Sequence, residues 1–291
     1  MCDSRVSRIA VGFFDGVHLG HRAILKDADV AVTFSAHPRQ IVAPASVPPL
    51  ILPPEERFRR IREAGVDFVE VVEFDEKFAS MEPVQFLEFL SSVASKRCSS
   101  KTFEVRCGPD WRFGKGGAGG AEMLSELGVK VTVVPFAEYK GEKISSTRIR
   151  TSIESGRMEE AAEMLGCEFS VSGEIFRGKG EGASLGFPTV NVRPLSLPLM
   201  RMVMPPRGVY AVTVSGEKAI ANFGVAPTFG ARGWTENVWE IHFLSGLPRL
   251  PLDEGSKIRF SILKFIRPER AFSSLDELRC QIAADCKEIN K

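Results

Sequence analysis

Along the first 166 residues, short apolar runs alternate with apolar positions at helical spacing. Ile9 to Val11, Ala31 to Phe34, Phe68 to Val72, Phe103 to Val105 and Val129 to Val134 are brief, apolar and bounded by turn residues, which predicts buried strands. Between them Pro83 suits the first position of a helix, and Phe86, Leu87, Leu90 and Ala94 follow on one face. Strands interleaved with helices predict a parallel sheet covered by helices. Five prolines between Ala43 and Pro54 deny the backbone regular hydrogen bonds and predict a surface loop. Ser145 to Leu165 carries two short helical patterns broken at Gly156, and Gly166 is a suitable cap. A domain boundary is therefore expected near 166–168, dividing the chain into 1–166 and 167–291.

Beyond that boundary the rhythm becomes strand after strand. Gly208 to Val214, Ala219 to Phe223, Val238 to Leu244 and Ile258 to Phe265 are separated by glycine and proline turns, as in a small antiparallel barrel. Leu275, Leu278, Ile282, Cys286 and Ile289 then recur at intervals of three and four, predicting a terminal helix. The expected fold class is α/β plus β, a parallel-sheet domain followed by a barrel. A length of 291 residues gives each half enough chain for its own core.

Composition narrows the partners. A net charge of +1 provides no general attraction to nucleic acid or to an anionic membrane, so a small-molecule partner is expected. No apolar stretch reaches the length of a membrane span, and the run Ile9 to Phe14 is too short and too interrupted for a secretion signal. A cytoplasmic location is the expectation. The six cysteines form no CxxC pair or zinc spacing, which favours reduced, structural thiols.

Candidate chemistry begins directly after the first strand, at Gly12-Phe13-Phe14-Asp15-Gly16-Val17-His18-Leu19-Gly20-His21. Glycines let a backbone turn sharply against a ligand, and a following helix start presents N–H groups to phosphate. His18 and His21, three apart, would share one side of that helix start and offer two donors to one anion. Lys143-Ile144-Ser145-Ser146-Thr147-Arg148 opens a later helix, with a serine to cap it and an arginine fork for phosphate. Taken singly, each segment is equally compatible with a glycine turn or polar surface. In this order they resemble the HxGH nucleotidyltransferases, whose fold is Rossmann-like.

Phe14-Asp15-Gly16, Thr33-Phe34-Ser35-Ala36-His37-Pro38, Phe74 to Ala79 and Gly108-Pro109-Asp110-Trp111-Arg112-Phe113-Gly114 further resemble the signatures of prokaryotic FAD synthetases. The resemblance implies that FMN attacks ATP in the first domain. Gly12, Phe14, Asp15 and Gly16 would then contact the nucleotide, His18, His21 and Arg148 its reacting phosphates, with Ser145, Ser146 and Thr147 closing over them. Asp110 and Phe113 would lie near the flavin. Ala36 replaces the family's usual proline, and eleven residues, 22–32, separate His21 from Thr33, so the first crossover helix must be short.

In the second half, Gly173 to Gly182 forms a glycine-rich lip that includes Gly178. It is followed by Gly186-Phe187-Pro188-Thr189-Val190-Asn191. Thr189 and Asn191 are two apart and on an extended segment point the same way, offering oxygens to Mg²⁺ or phosphate. An ordinary proline turn is the competing interpretation. The segment resembles the GFPTAN motif of riboflavin kinases, and Gly208 to Tyr210, Asn222 to Gly224 and Pro227 to Phe229 match later motifs in order. That resemblance implies riboflavin, FMN and ATP as ligands and places the activating carboxylate at Glu240. A carboxylate inside the otherwise apolar run around Trp239 and Ile241 also calls for a physical reason.

The full chain thus resembles the bifunctional riboflavin kinase/FAD synthetases. Two other readings stay open from sequence: a kinase with an inert first domain, and a flavin- or nucleotide-binding regulator without turnover. Leu195 to Pro206 is either a flap over the second site or a plain loop.

Overall fold

The computed structural model describes residues 6–98, 102–178, 181–184, 186–195, 200–227, 235–246 and 252–289. The chain divides into two compact units, Met1–Arg148 and Ile149–Lys291. In the first, β1 (Ser7–Val11), β2 (Val30–Phe34), β3 (Phe68–Val72), β4 (Phe103–Cys107) and β5 (Lys130–Val133) form one sheet in the order β3-β2-β1-β4-β5. All four pairings are parallel. Strand order reverses beside β1, so the carboxyl ends of β1 and β4 flank the natural crevice of such a sheet.

β1, β2 and β4 are buried as expected, but β3 and β5 are not. Phe68, Val71 and Val133 are exposed because these strands are the sheet's two edges, each paired on one side only. The crossover from β1 to β2 is α1 (Leu19–Leu25), seven residues drawn from the HLGH segment itself. Its open carbonyls at Ala23 and Ile24 accept from the Arg106 guanidinium on β4 at 3.4 and 3.1 Å. This cap is how so short a crossover holds.

The proline-rich segment departs from its prediction. It follows α2 (Arg39–Val42) and holds one 3-10 turn at Pro44–Ser46, and Leu50, Ile51 and Leu52 are buried instead of lying on the surface. Asp15 makes that burial affordable in hydrogen bonds: its carboxylate accepts from the backbone of Ile51 at 3.0 Å and of Leu52 at 3.3 Å. Pro54 then starts α3 (Pro54–Glu63). After the short α4 (Glu76–Ala79), α5 (Pro83–Cys98) buries Phe86, Leu90, Val93 and Ala94 in a core shared with Ile9, Val11, Val30 and Val105. α6 (Ala121–Glu126) precedes β5, and a small hairpin, β6 (Glu138–Tyr139) with β7 (Glu142–Lys143), leads into α7 (Ser146–Glu154).

In the second unit α8 (Met158–Leu165) ends at Gly166, which adopts the left-handed φ of 70° of a helix stop. α8 packs on β8 (Phe169–Phe176) and on β13 (Lys257–Pro268). With β9 (Val190–Pro194), β10 (Gly208–Val214), β11 (Glu217–Pro227) and β12 (Thr235–Phe243), these strands close a barrel in the order β10-β11-β12-β9-β8-β13. A four-residue helix, α9 (Glu181–Ser184), lies between β8 and β9, and α10 (Leu275–Ile289) ends the unit.

The barrel interior is solid. Trp239 is fully buried, stacked on Phe223 at 4.4 Å and edge-on to Phe260 at 5.1 Å and Tyr210 at 5.4 Å. Alternation along the strands therefore sends any chemistry to the outer wall. α10 behaves differently from a core helix: Leu278 and Ile282 are only half-buried, and Asp285 is its one fully buried residue among those described. Part of the predicted Leu195 to Pro206 flap, residues 196–199, lies outside the described residues, as does most of 247–255.

Candidate functional site

A cleft of about 330 Å³ opens at the carboxyl ends of β1, β4 and β5. Gly12, Phe14, His18, His21, Asp110, Ser145, Ser146 and Thr147 all line it, so segments 130 residues apart in sequence meet as expected. The loop from β1 to α1 is tightly wound. Phe14 and Val17 take positive φ of 56° and 43°, Val17 being β-branched and therefore strained there. Gly12 is required because a Cβ would stand 2.9 Å from the Phe14 ring that folds back over it.

His18 caps α1 by accepting the His21 backbone N–H on its Nδ1 at 3.3 Å. That ring nitrogen is consequently unprotonated, and the neutral imidazole carries its proton on Nε2. The two imidazoles stack with centroids 3.6 Å apart and planes 18° apart. A Cβ on Gly20 would approach the His18 ring at 3.2 Å, which accounts for the glycine between the histidines.

Other expected residues sit elsewhere. Asp15 and Gly16 do not line the cleft; the Asp15 carboxylate is buried and occupied by Ile51 and Leu52. Arg57 is buried beside it and donates to the Phe13 and Phe34 carbonyls at 3.1 and 2.5 Å, with its guanidinium 3.8 Å over the Phe13 ring. Burial lowers the Arg57 pKa to about 10, against the opposing pull of Asp15. Phe113 belongs to the core, stacked under Trp111 at 4.9 Å and near Phe86 at 5.0 Å; Trp111 is the aromatic that reaches the cleft.

Ser145 caps α7, its Oγ accepting the Arg148 backbone N–H at 3.2 Å, and Ser146 Oγ donates to the Asp15 carbonyl at 2.9 Å. The Arg148 guanidinium turns to the β6–β7 hairpin, donating to Tyr139 and Glu142 carbonyls at 3.0 and 2.9 Å. It does not line the cleft. Across the mouth, Lys143 Nζ lies 2.5 Å from Asp110 and 3.7 Å from the Phe136 ring centre.

The second unit holds a cleft of about 470 Å³ on the barrel's outer wall. Trp239, Ile241 and Phe243 point inward, and Glu240 and His242 outward. Glu240 is thus exposed to the cleft, not buried among its apolar neighbours, since strand alternation puts them on the other face. Register sets Asn222, Glu240 and Asn191 directly beside one another on β11, β12 and β9. Such pairs have Cβ atoms about 5 Å apart. Thr189 lines the cleft, and Asn191 is on the outer face while Val190 and Val192 are buried.

Glycines crowd this wall: a Cβ on Gly178 would stand 2.2 Å from Asn191 Nδ2, and one on Gly182 would stand 2.5 Å from the Phe187 carbonyl oxygen. Gly186 takes φ of 86°. The opposite wall is apolar, with Phe272, Leu275, Leu278 and Ile282. Arg267 grips the buried Asp285 carboxylate at 2.8 and 2.9 Å, and Gln281 donates to its other oxygen at 2.6 Å, which fixes α10 against β13. Sequence reasoning missed His242, two positions beyond Glu240, and Glu269 as cleft residues.

One cleft built from HxGH and SSTR segments and another built from GFPT and a strand glutamate form a combination that the comparisons decide. Residues 2–148 match the FAD synthetase family and residues 165–291 the riboflavin kinase family. The bifunctional riboflavin kinase/FMN adenylyltransferase of Escherichia coli (strain K12) is 34% identical over 297 residues, covering 95% of this chain and 90% of that protein. The chain belongs to that bifunctional family. The Bacillus subtilis (strain 168) member is 32% identical, covering 97% of this chain and 91% of its own. Both activities of the family, riboflavin kinase and FMN adenylyltransferase, are therefore encoded in this one ATP-dependent transferase.

A solved structure named as a macrolide-efflux protein from Streptococcus pneumoniae superimposes with a TM-score of 0.81 at 28% identity, covering 99% of this chain and 95% of that one. Among the described residues no helix is long and apolar enough to cross a membrane.

Proposed function

We propose that the barrel cleft converts riboflavin and ATP to FMN and ADP, and that the parallel-sheet cleft converts FMN and a second ATP to FAD and pyrophosphate. The observation that carries the assignment is the row Asn222–Glu240–Asn191 beside Thr189, which sets a carboxylate against neutral oxygen donors on one wall. Glu240 takes the proton from the riboflavin 5′-hydroxyl as its oxygen bonds to the γ-phosphorus and the bond to ADP breaks. The apolar face of Leu275, Leu278 and Ile282 suits the flat flavin ring.

Mg²⁺ fits this site as an ion that arrives with the nucleotide. Thr189 and Asn191 present uncharged oxygens, the donor type a hard cation takes together with phosphates, and no group of three His, Cys, Asp or Glu suited to a metal occurs among the described residues. These two residues would hold it, and its chemistry there is neutralisation of phosphate charge. Gly178 keeps the Asn191 amide in place by close packing.

In the first unit an FMN phosphate oxygen attacks the α-phosphorus of ATP, and pyrophosphate leaves. His18 Nε2–H, His21 and the hydroxyls of Ser145 and Thr147 are the donors for those phosphates, with Gly12 and Phe14 against the nucleotide, while the Ser146 hydroxyl stays on the Asp15 carbonyl and ties α7 to the loop. Asp110 and Trp111 flank the flavin side, Phe113 supporting Trp111 from beneath. Asp15, Gly16 and Arg148 act by shaping loops: Arg148 holds the hairpin carrying Lys143, and Asp15 holds the loop under His18. Gly186 shapes the GFPT turn. The enzyme works in the cytoplasm, where its substrates and ATP are found.

Incubating the purified chain with riboflavin, ATP and Mg²⁺ and separating flavins by chromatography tests the whole scheme. FMN followed by FAD is expected; no FMN would overturn it, and FMN without FAD would reduce it to a kinase.

A further inference from the structure

His242 stands two residues beyond Glu240 on the same outward face of β12 and lines the same cleft. Its Nδ1 is 2.9 Å from the Pro188 carbonyl oxygen, and its ring meets Phe187 edge-on with centroids 5.2 Å apart. A carbonyl oxygen only accepts, so Nδ1 must carry a proton and act as the donor.

The segment it grips is the one that ends in Thr189. That segment is held at its other end by Phe187 N–H on the Gly182 carbonyl at 2.8 Å and Gly186 N–H on the Ala183 carbonyl at 3.1 Å. Ladder pairing between β9 and β12 runs through Val190, Asn191 and Val192 and does not include Thr189. Proline 188 has no N–H with which to extend it. The imidazole therefore supplies the tie from β12 that the missing ladder bond would have supplied.

We propose that His242 is a positioning residue of the kinase reaction: through its Nδ1–H bond to the Pro188 carbonyl it fixes Thr189 relative to Glu240, so that the nucleotide and its cation are seated before the hydroxyl is activated. This rests on the kinase reading of the barrel cleft. The role belongs to Nδ1 and to no chemistry at Nε2, which separates it from a second general base.

Three variants of the full chain test it by steady-state FMN formation with ATP, Mg²⁺ and riboflavin each varied in turn. His242→Phe keeps the ring against Phe187 but removes the donor; the KM for ATP and the Mg²⁺ requirement should rise about fivefold, the scale of one net hydrogen bond, with the KM for riboflavin unchanged. His242→Asn places an amide nitrogen where Nδ1 stood and should restore wild-type values. His242→Gln places its amide where Nε2 stood and should not. Recovery by Gln but not Asn, wild-type constants for the Phe variant, or equal losses in all three with the riboflavin KM also raised would each overturn the proposal. A wild-type chain that makes no FMN would instead sink the kinase reading itself.

Discussion

In the first unit the cleft is bounded by loops that leave the ends of β1, β4 and β5, and buried polar groups hold those loops in shape. In the second, the cleft is a patch of outer barrel wall whose side chains are placed by strand register. Asp15 and Arg57 pin the strained turn before His18 from beneath, by bonds to backbone atoms. Glu240 needs no such scaffold, because pairing with Asn222 and Asn191 already fixes its neighbours. One cleft is thus shaped by pinned backbone turns and the other by a row of side chains in register, and the two sites should fail in different ways.

Glu240→Gln tests the second mode most severely. FMN formation should fall about 10²- to 10⁴-fold, the usual range for a lost general base, while FMN-to-FAD conversion by the same protein stays unchanged. If both reactions stopped in a folded chain, the separation of the clefts would be wrong. The mirror experiment is His21→Ala, where adenylyl transfer should drop about 10²- to 10³-fold, as when a preorganised donor is removed, and the kinase reaction should continue. Isotope-labelled ATP followed into FAD and pyrophosphate provides the readout.

Removing the scaffold in place of the donor separates shape from contact. Asp15→Ala leaves the Ile51 and Leu52 N–H groups buried without their acceptor and removes the opposite charge beside the buried Arg57, which should destabilise the first unit by about 3 kcal/mol in urea unfolding. FAD formation should be lost at lower denaturant than FMN formation. Loss of both together would mean that the two units do not unfold separately.

The smallest effect concerns pH. Burial pushes the Glu104 pKa up, but hydrogen bonds from Lys130 and Thr132 outweigh it and leave the carboxyl below its ordinary 4.5. A depressed folded-state pKa contributes stability above the unfolded value that disappears as pH falls through the folded one. Glu104→Gln should therefore cost the first unit about 1 kcal/mol at pH 7, with the gap to wild type closing below pH 4.5. A gap independent of pH would show packing, not charge, to be responsible.

Much of this was legible in the sequence. Helical spacing after Pro83, the Gly156 and Gly166 breaks and the strand runs of the barrel correspond to elements found, because each carries a period or a stop that is local. β8 and β9 were harder to see as barrel strands. Gly173 resembles a turn residue, yet it lies mid-strand because a Cβ there would meet the Arg193 carbonyl oxygen at 2.4 Å. Close approach of two chains leaves no trace in one chain's pattern. Leu50 to Leu52 escaped for the same reason: their burial depends on Asp15, 36 residues away from Ile51.

Within the sites, residue type proved easier to read than direction. His18, His21 and Thr189 reach their clefts, whereas Phe113 and Arg148 turn away from theirs, and motif order says nothing of which way a ring or guanidinium points. The short 22–32 segment raised the prospect of an inert first unit; Arg106 supplies the missing end of that crossover from a strand 80 residues later. Distance in sequence hid the compensation.

The solid interior of the barrel has a consequence for how such an enzyme can change. Along β12 alternate residues are assigned to two separate trades, with Trp239, Ile241 and Phe243 holding the protein together and Glu240 and His242 facing the cleft. Substitutions on the outer set can alter what is made without loosening what is folded. A single-residue deletion has no such freedom, because it exchanges the two sets and ruins both trades in one event.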